Sequence, residues 1–163
     1  MITIDPGLNG CGVANWPGRN GGGGELVHAF YIERIEGSAS KAYQMAWTLC
    51  SCLHATPVEQ VIIERPRIYT KMKGDPADIL NLLEVGATLQ GMLGRPVEWV
   101  EPHAWKGSLN ADAMTERIKS RLTPEEHKRV EPCAASLMHN VYDAVGIGLH
   151  ALGRLDRKRV IAR

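Results

Sequence analysis

No stretch of the chain approaches the roughly 20 consecutive apolar residues that cross a bilayer, so a membrane partner is not expected. The first residues, MITIDPGLNGCGVAN, lack the basic n-region and apolar h-region of a secretory signal, and the protein is expected in the cytoplasm. Cysteine is sparse: Cys11, Cys50, Cys52 and Cys133 suit that compartment as reduced thiols. The run Cys50-Ser-Cys52-Leu-His54 lacks the two-residue spacer usual in zinc sites, and no second pair follows. Small apolar residues on a helix are the better reading there. Excess charge is also missing, since the formal net charge is +1, which excludes a polycation. There is no internal repeat or linker, and the 163 residues are expected to form one domain over 1–163.

What the chain does have is ordinary bulk and uneven charge. Apolar residues make up 44% and charged residues 23%, enough for a packed core of usual proportions. The segment RPRIYTKMKG (65–74) carries Arg65, Arg67, Lys71 and Lys73 with no acid, and Tyr69 among them. A basic tail over 153–163 sets five basic residues against Asp156. Two basic patches on a neutral body fit an anionic partner held at particular places, with solvated basic loops as the competing reading.

Patterning gives an ordered series of elements. Short apolar strands are expected at 2–4, 11–15 and 26–32, joined closely enough to form an antiparallel meander. The turn-rich WPGRNGGGGE separates the second and third, with a mobile hairpin tip expected at 21–24. Helical spacing follows over 40–54, then a β-branched strand over 58–64. A helix opens with Asp75 as N-cap and Pro76 at its first position, and stops at Gly94. A fifth strand at 97–101, a helix at 110–122, a capping-box helix from Thr123 and a final helix at 136–152 complete the chain. The expected fold class is therefore α/β: a mixed five-stranded sheet, three antiparallel strands and then βα units, with helices on both faces.

Two of these strands end in an acid, ITI-Asp5 and VII-Glu64. If they are adjacent, the two carboxylates meet at one sheet edge, where each raises the other's pKa unless a cation lies between them. Mg²⁺ would serve, since it takes oxygen ligands and keeps several waters. The last helix adds Asp143, with Asn140 and His139 three and four residues before it on the same face. An acid deep inside an apolar helix is costly, and it is no N-cap. Gly146 and Gly148 each cost the helix about 1 kcal/mol relative to Ala, so they are expected to serve close packing against the sheet.

In this order and spacing, IDPGLNGCGVA, VIIERP and HNVYDAVGIGLHAL resemble the RuvC-like Holliday junction resolvases of the ribonuclease H-like superfamily. The resemblance covers nearly the whole chain and is nearest to short, divergent phage-encoded members, in which a run like PHAWKG (102–107) also occurs. It implies cleavage of four-way DNA junctions by symmetric nicks, with two Mg²⁺ or Mn²⁺ ions per site and a homodimer matching the junction's symmetry. It assigns metal-binding roles to Asp5, Glu64 and Asp143. The family's fourth ligand position falls on Asn140, a weaker ligand, so His139 is favoured for that role and Asn140 kept as a contributor. Lys106, read as lying in the loop after the fifth strand, matches a basic catalytic position. Arg65, Arg67, Lys71 and Lys73 become phosphate contacts, and Tyr69 a residue that stacks on an unpaired base. The apolar 75–93 helix is a candidate dimer face, with buried core as its competing reading.

Three other readings compete. Asp-x-Gly before a second strand also opens the phosphate hairpin of actin-like and sugar-kinase ATPases, but those need a second such domain. A ribonuclease H-like nuclease acting on flaps or RNA–DNA hybrids keeps the fold and changes the substrate. A non-catalytic junction-binding relative would explain Asn140.

Overall fold

A computed structural model describes residues 1–17, 24–54, 59–67, 75–94 and 97–155. Three strands come first, β1 (Ile2–Asp5), β2 (Gly10–Asn15) and β3 (His28–Glu33). Then follow α1 (Lys41–His54), β4 (Val61–Glu64), α2 (Pro76–Leu93) and β5 (Val97–Val100). Four helices close the order: α3 (Pro102–Lys106), α4 (Ala111–Arg121), α5 (Pro124–Lys128) and α6 (Met138–Ala151). The strands make one sheet in the order β3-β2-β1-β4-β5. The meander β1-β2-β3 is antiparallel, whereas β4 runs parallel to both β1 and β5. The mixed five-stranded α/β architecture expected from the patterning is the one observed. No helix among the described residues is long and apolar enough to cross a membrane.

Strand alternation sorts the core into two layers. Ile2, Ile4, Val61 and Ile63 face one way, into a cluster with Met45, Ala46 and Leu49 of α1 and Val85 and Leu89 of α2. Ile62 faces the other way, into a cluster built on Val141, Ala144, Val145 and Leu149 of α6 with Trp105, Met114 and Ile118. Thr3 is fully buried on this second side, where its hydroxyl donates to the Ala144 carbonyl at 2.7 Å and accepts from Trp16 Nε1 at 3.0 Å. That bond ties the central strand to the middle of α6.

Close approach explains the glycines. A Cβ on Gly12 would lie 1.9 Å from the Asn140 carbonyl oxygen, so α6 can cross β2 only where β2 has no side chain. Gly146 and Gly148 do allow close packing, but against indole rings rather than strands. A Cβ there would meet the Trp105 ring at 2.5 Å and Trp16 Nε1 at 2.1 Å, respectively.

Local chemistry sets the boundaries. Asp75 caps α2 by accepting from Ala77 N, and Gly94 ends it with φ 61°. Thr123 and Glu126 form the full capping box of α5. Strand β3 begins at His28, two residues later than expected, because the Leu26 amide is taken by the Glu126 carboxylate at 2.8 Å instead of by the sheet. Helix α6 begins at Met138 rather than at residue 136, with Leu137 at its N-cap position and no side-chain cap. The hairpin tip expected at 21–24 lies outside the described residues except for Gly24.

The start of the basic tail departs from expectation. Arg154 does not face an anionic partner; its guanidinium grips Glu126 with Nη1 to Oε1 at 2.7 Å and Nη2 to Oε2 at 2.8 Å. Residues 156–163 lie outside the described set.

Candidate active site

The register pairs Ile4 with Ile63, and each strand then ends on its acid, so Asp5 and Glu64 leave the sheet side by side. By alternation both acids share the face of Thr3 and Ile62, the face covered by α6. Asp143 precedes the residue whose carbonyl Thr3 binds, and so joins them. Its carboxylate interacts electrostatically with Asp5 and, through Lys106, with Glu64. Acids distant in sequence thus converge from β1, β4 and α6.

The cation at this convergence is a lysine. Lys106 Nζ stands 3.2 Å from Glu64 Oε2 and 3.6 Å from Asp143 Oδ2, bridging the two. Lys106 is the last residue of α3, not part of a loop as the sequence suggested. PHAWK turns helical directly after β5, with Pro102 at its first position, and a five-residue helix is too short to leave a periodic pattern. Trp105 is buried on the same helix, and its Nε1 donates to Glu64 Oε2 at 2.7 Å. The Lys106 ammonium also lies 4.8 Å from the centre of the Trp105 ring, a cation–π distance.

The electrostatics follow from this crowding. Burial, and then the charges of Asp143 and Glu64, lift the Asp5 carboxyl well above its ordinary range, with only partial relief from Lys106. Burial also raises Glu64 and Asp143. Lys106 and the Trp105 N–H offset part of the rise in Glu64, and Lys106 and His139 part of that in Asp143. For Lys106, burial opposes the charge, but Glu64 and Asp143 outweigh it and raise its pKa.

Three crowded carboxylates fit hard divalent cations such as Mg²⁺ or Mn²⁺ in donor type. Among the described residues, however, no three acidic, imidazole or thiol groups form a ready-made metal cluster. The Lys106 ammonium occupies the space between Glu64 and Asp143.

The other candidate residues lie around this centre. His139 is exposed at the start of α6, in a cleft shared with Glu116, Lys119 and Tyr142, near enough for its charge to favour ionised Asp143. Asn140 is half-buried, its backbone against Gly12. Arg65 and Arg67 follow Glu64, and both turn toward Glu101, at 3.9 and 2.5 Å. The segment that looked free of acids is thus partly neutralised by one from another strand end. Tyr69, Lys71 and Lys73 lie outside the described residues. Cys50 is buried and Cys52 exposed. Sequence reasoning missed Trp105 and Glu101. The indole could have been suspected from its place beside Lys106, but its contact with Glu64 spans 41 positions.

No protein-family model matches the sequence, and no curated protein matches it. Solved structures do. The RuvC structure of Thermus thermophilus superposes with a TM-score of 0.60 at 17% identity, covering 94% of this chain and 98% of that one. The same organism's RuvC in complex with Holliday junction substrate gives 0.62 at 15%, with the same coverage. Fowlpox virus resolvase, solved with Holliday junction DNA, gives 0.60 at 12%, covering 93% and 97%. The chain therefore has the fold of these RuvC structures, along nearly its whole length.

Proposed function

We propose that this protein is a structure-selective endonuclease that cuts four-way DNA junctions, hydrolysing one phosphodiester at each of two symmetric positions. The observation that carries this reading is the meeting of Asp5, Glu64 and Asp143 from β1, β4 and α6 around Lys106. Support for the substrate comes from the junction DNA bound in two of the similar structures.

Asp5, Glu64 and Asp143 would hold the divalent ions, Mg²⁺ or Mn²⁺, with His139 as the favoured fourth ligand and Asn140 contributing. Such ions supply charge neutralisation and lower the pKa of water. The chain's own groups do the rest. By holding the ions the three acids would fix where a phosphate is seated, and the Trp105 N–H holds Glu64 in place through Oε2. Lys106 supplies positive charge where charge grows on the phosphate. Water adds to phosphorus and the P–O3′ bond breaks, leaving a 5′-phosphate and a 3′-hydroxyl. Arg65 and Arg67, with Lys71, Lys73 and Tyr69, form the proposed DNA-contacting segment.

The active form is proposed to be a C₂ homodimer, since a two-fold enzyme matches a two-fold junction. Exposed apolar side chains on the helical face opposite α6 support this, namely Tyr43 and Trp47 of α1 and Leu80 of α2. Ile79, Val85 and Leu89 of α2 instead belong to the core. The proposed setting is the cytoplasm.

A second reading, a junction-binding protein without catalysis, is favoured by Asn140 and by the lysine filling the space between the acids. One gel assay separates the readings. Fixed four-way junction, flap, plain duplex and RNA–DNA hybrid are incubated with the protein in Mg²⁺ or Mn²⁺. Paired nicks on the junction alone support the proposal. Binding without cutting in either metal supports the second reading, and cutting confined to flap or hybrid reassigns the substrate.

A further inference from the structure

Strand register sets one acid beside two arginines. Glu64 pairs with Val100 at the ends of β4 and β5, and the Arg65 amide donates to the Val100 carbonyl at 2.8 Å, so Arg65 and Glu101 leave the sheet together. Glu101 Oε1 lies 3.9 Å from Arg65 Nη1, and Oε2 lies 2.5 Å from Arg67 Nε. Glu101 also stands at the N-cap of α3, yet its side chain makes no cap bond there. Ser, Thr, Asp and Asn are the residues that cap well, so capping does not account for a glutamate at this place. Its carboxylate is directed at the arginines instead.

We propose that Glu101 is a displaceable counter-ion for the DNA-contacting segment: it holds Arg65 and Arg67 in the free protein and yields them to backbone phosphates when DNA binds. The inference rests on the reading of this segment as a DNA contact and deepens it. Glu101 is a positioning residue that acts through the two arginines.

The geometry permits the exchange. The side chains of Arg65 and Arg67 are 57% and 55% exposed, so a phosphate can reach either guanidinium from solvent. The grip of Glu101 is also imperfect. Arg65 makes only a long ion contact, and the Arg67 N–H is not aimed at Oε2 well enough for a hydrogen bond, close as the two atoms are. Exposed ion pairs of this kind add little to stability. A phosphate offers each guanidinium fork two parallel, charge-assisted bonds, so both arginines improve their bonding by moving to DNA.

The cost of the exchange falls on Glu101. Its Oε2 atom is shielded from water and loses its nearest positive charge when Arg67 leaves. Two arginines and one glutamate carry a net charge of +1, where the arginines alone would present +2. Non-specific DNA binding is built from phosphate contacts, so Glu101 restrains the grip of this segment until phosphates are delivered beside Glu64.

The test is a double-mutant cycle on binding. Affinity for a fixed four-way junction is measured by fluorescence anisotropy in EDTA, so that binding is read without cutting, over salt from about 50 to about 200 mM. Glu101→Gln keeps the size of the side chain and removes its charge, and its melting temperature should stay within a few degrees of the wild type. It is expected to bind about ten-fold tighter at the lower salt, the scale of one charged hydrogen bond. The slope of log affinity against log salt should steepen by about one. With Arg65 and Arg67 both replaced by Ala, the same substitution should change affinity by no more than about two-fold. A gain of full size without the arginines would mean that Glu101 merely repels DNA, and no gain with them would mean that nothing is displaced. Either result overturns the proposal and leaves the nuclease reading intact. A wild type that does not bind the junction would remove both.

Discussion

The indole Nε1 of Trp105 donates a 2.7 Å hydrogen bond to Oε2 of Glu64. The ring that carries this donor is buried and fits because Gly146 of α6 has no side chain. A single tryptophan thus links the packing of α6 to the aim of a carboxylate at the end of β4. Trp105→Phe keeps most of the apolar contact and removes the donor. If Glu64 holds an ion as proposed, the Mg²⁺ concentration for half-maximal junction cleavage is expected to rise about 10- to 100-fold, the usual effect of losing a partner behind a metal ligand. The rate at saturating Mg²⁺ should change less, and the melting temperature should stay within a few degrees. A metal titration alongside a thermal melt checks all three.

Lys106 is the positive charge between Glu64 and Asp143 when no divalent ion is present. Removing it as Lys106→Met leaves like charges crowded and uncompensated. In chelator the variant is expected to lose about 1–3 kcal/mol of stability. Added Mg²⁺ should recover more stability in the variant than it adds to the wild type. Junction cleavage should fall by about 100-fold or more, the scale seen when a group that stabilises developing charge is removed. Melting curves with and without Mg²⁺, and single-turnover rates, measure these effects.

Asp5 is the most crowded of the acids, lifted by burial and then by Asp143 and Glu64. In metal-free buffer the burial and crowding of this carboxyl work against folding, so Asp5→Asn should raise the melting temperature by a few degrees. The same substitution should abolish cleavage. Greater stability with lost activity is the signature of a site kept for chemistry at the expense of the fold. Differential scanning calorimetry in EDTA checks the first half and the junction assay the second.

Glu126 behaves oppositely because it is fully buried and fully satisfied. Burial opposes its charge, but Arg154 and the amides of Thr123 and Leu26 pull its carboxyl down to about 2 from an ordinary 4.5. A lowered folded-state pKa gives stability that is complete above the unfolded pKa and lost as pH falls from about 4.5 to about 2. The shift corresponds to about 3 kcal/mol. Glu126→Gln should remove a similar amount at pH 7 and flatten the acid limb of a stability-versus-pH curve, measured by denaturant unfolding between pH 2 and 7. Cleavage measured well below the melting temperature should be little changed, since this pair joins α5 to the end of α6, away from the acids.

The framework of the site was legible because it rests on short-range rules. Period-two alternation puts Asp5 with Thr3 and Glu64 with Ile62, and the apolar runs before them mark both strands as buried. Asp143 stood out as an acid inside an apolar helix. What was hidden depends on contacts distant in sequence or on elements too short to show a period. Helix α3 is five residues long, too short to leave a period, so the sequence alone places Lys106 in a loop and gives no periodic signal for Trp105. Arg154 looked like the start of a free basic tail because Glu126, its partner, lies 28 residues earlier. Gly146 and Gly148 signalled close packing, but nothing local shows that their partners are the rings of Trp105 and Trp16.

The most direct test of the central claim compares wild type with Asp143→Asn on a fixed four-way junction, with cut positions mapped on all four strands. With Mg²⁺ the wild type should nick two opposing strands at symmetric positions, and with EDTA it should bind without cutting. Asp143→Asn should bind the junction with similar affinity and leave all four strands intact. If it cuts at the wild-type rate, the convergence of Asp5, Glu64 and Asp143 is not the catalytic site.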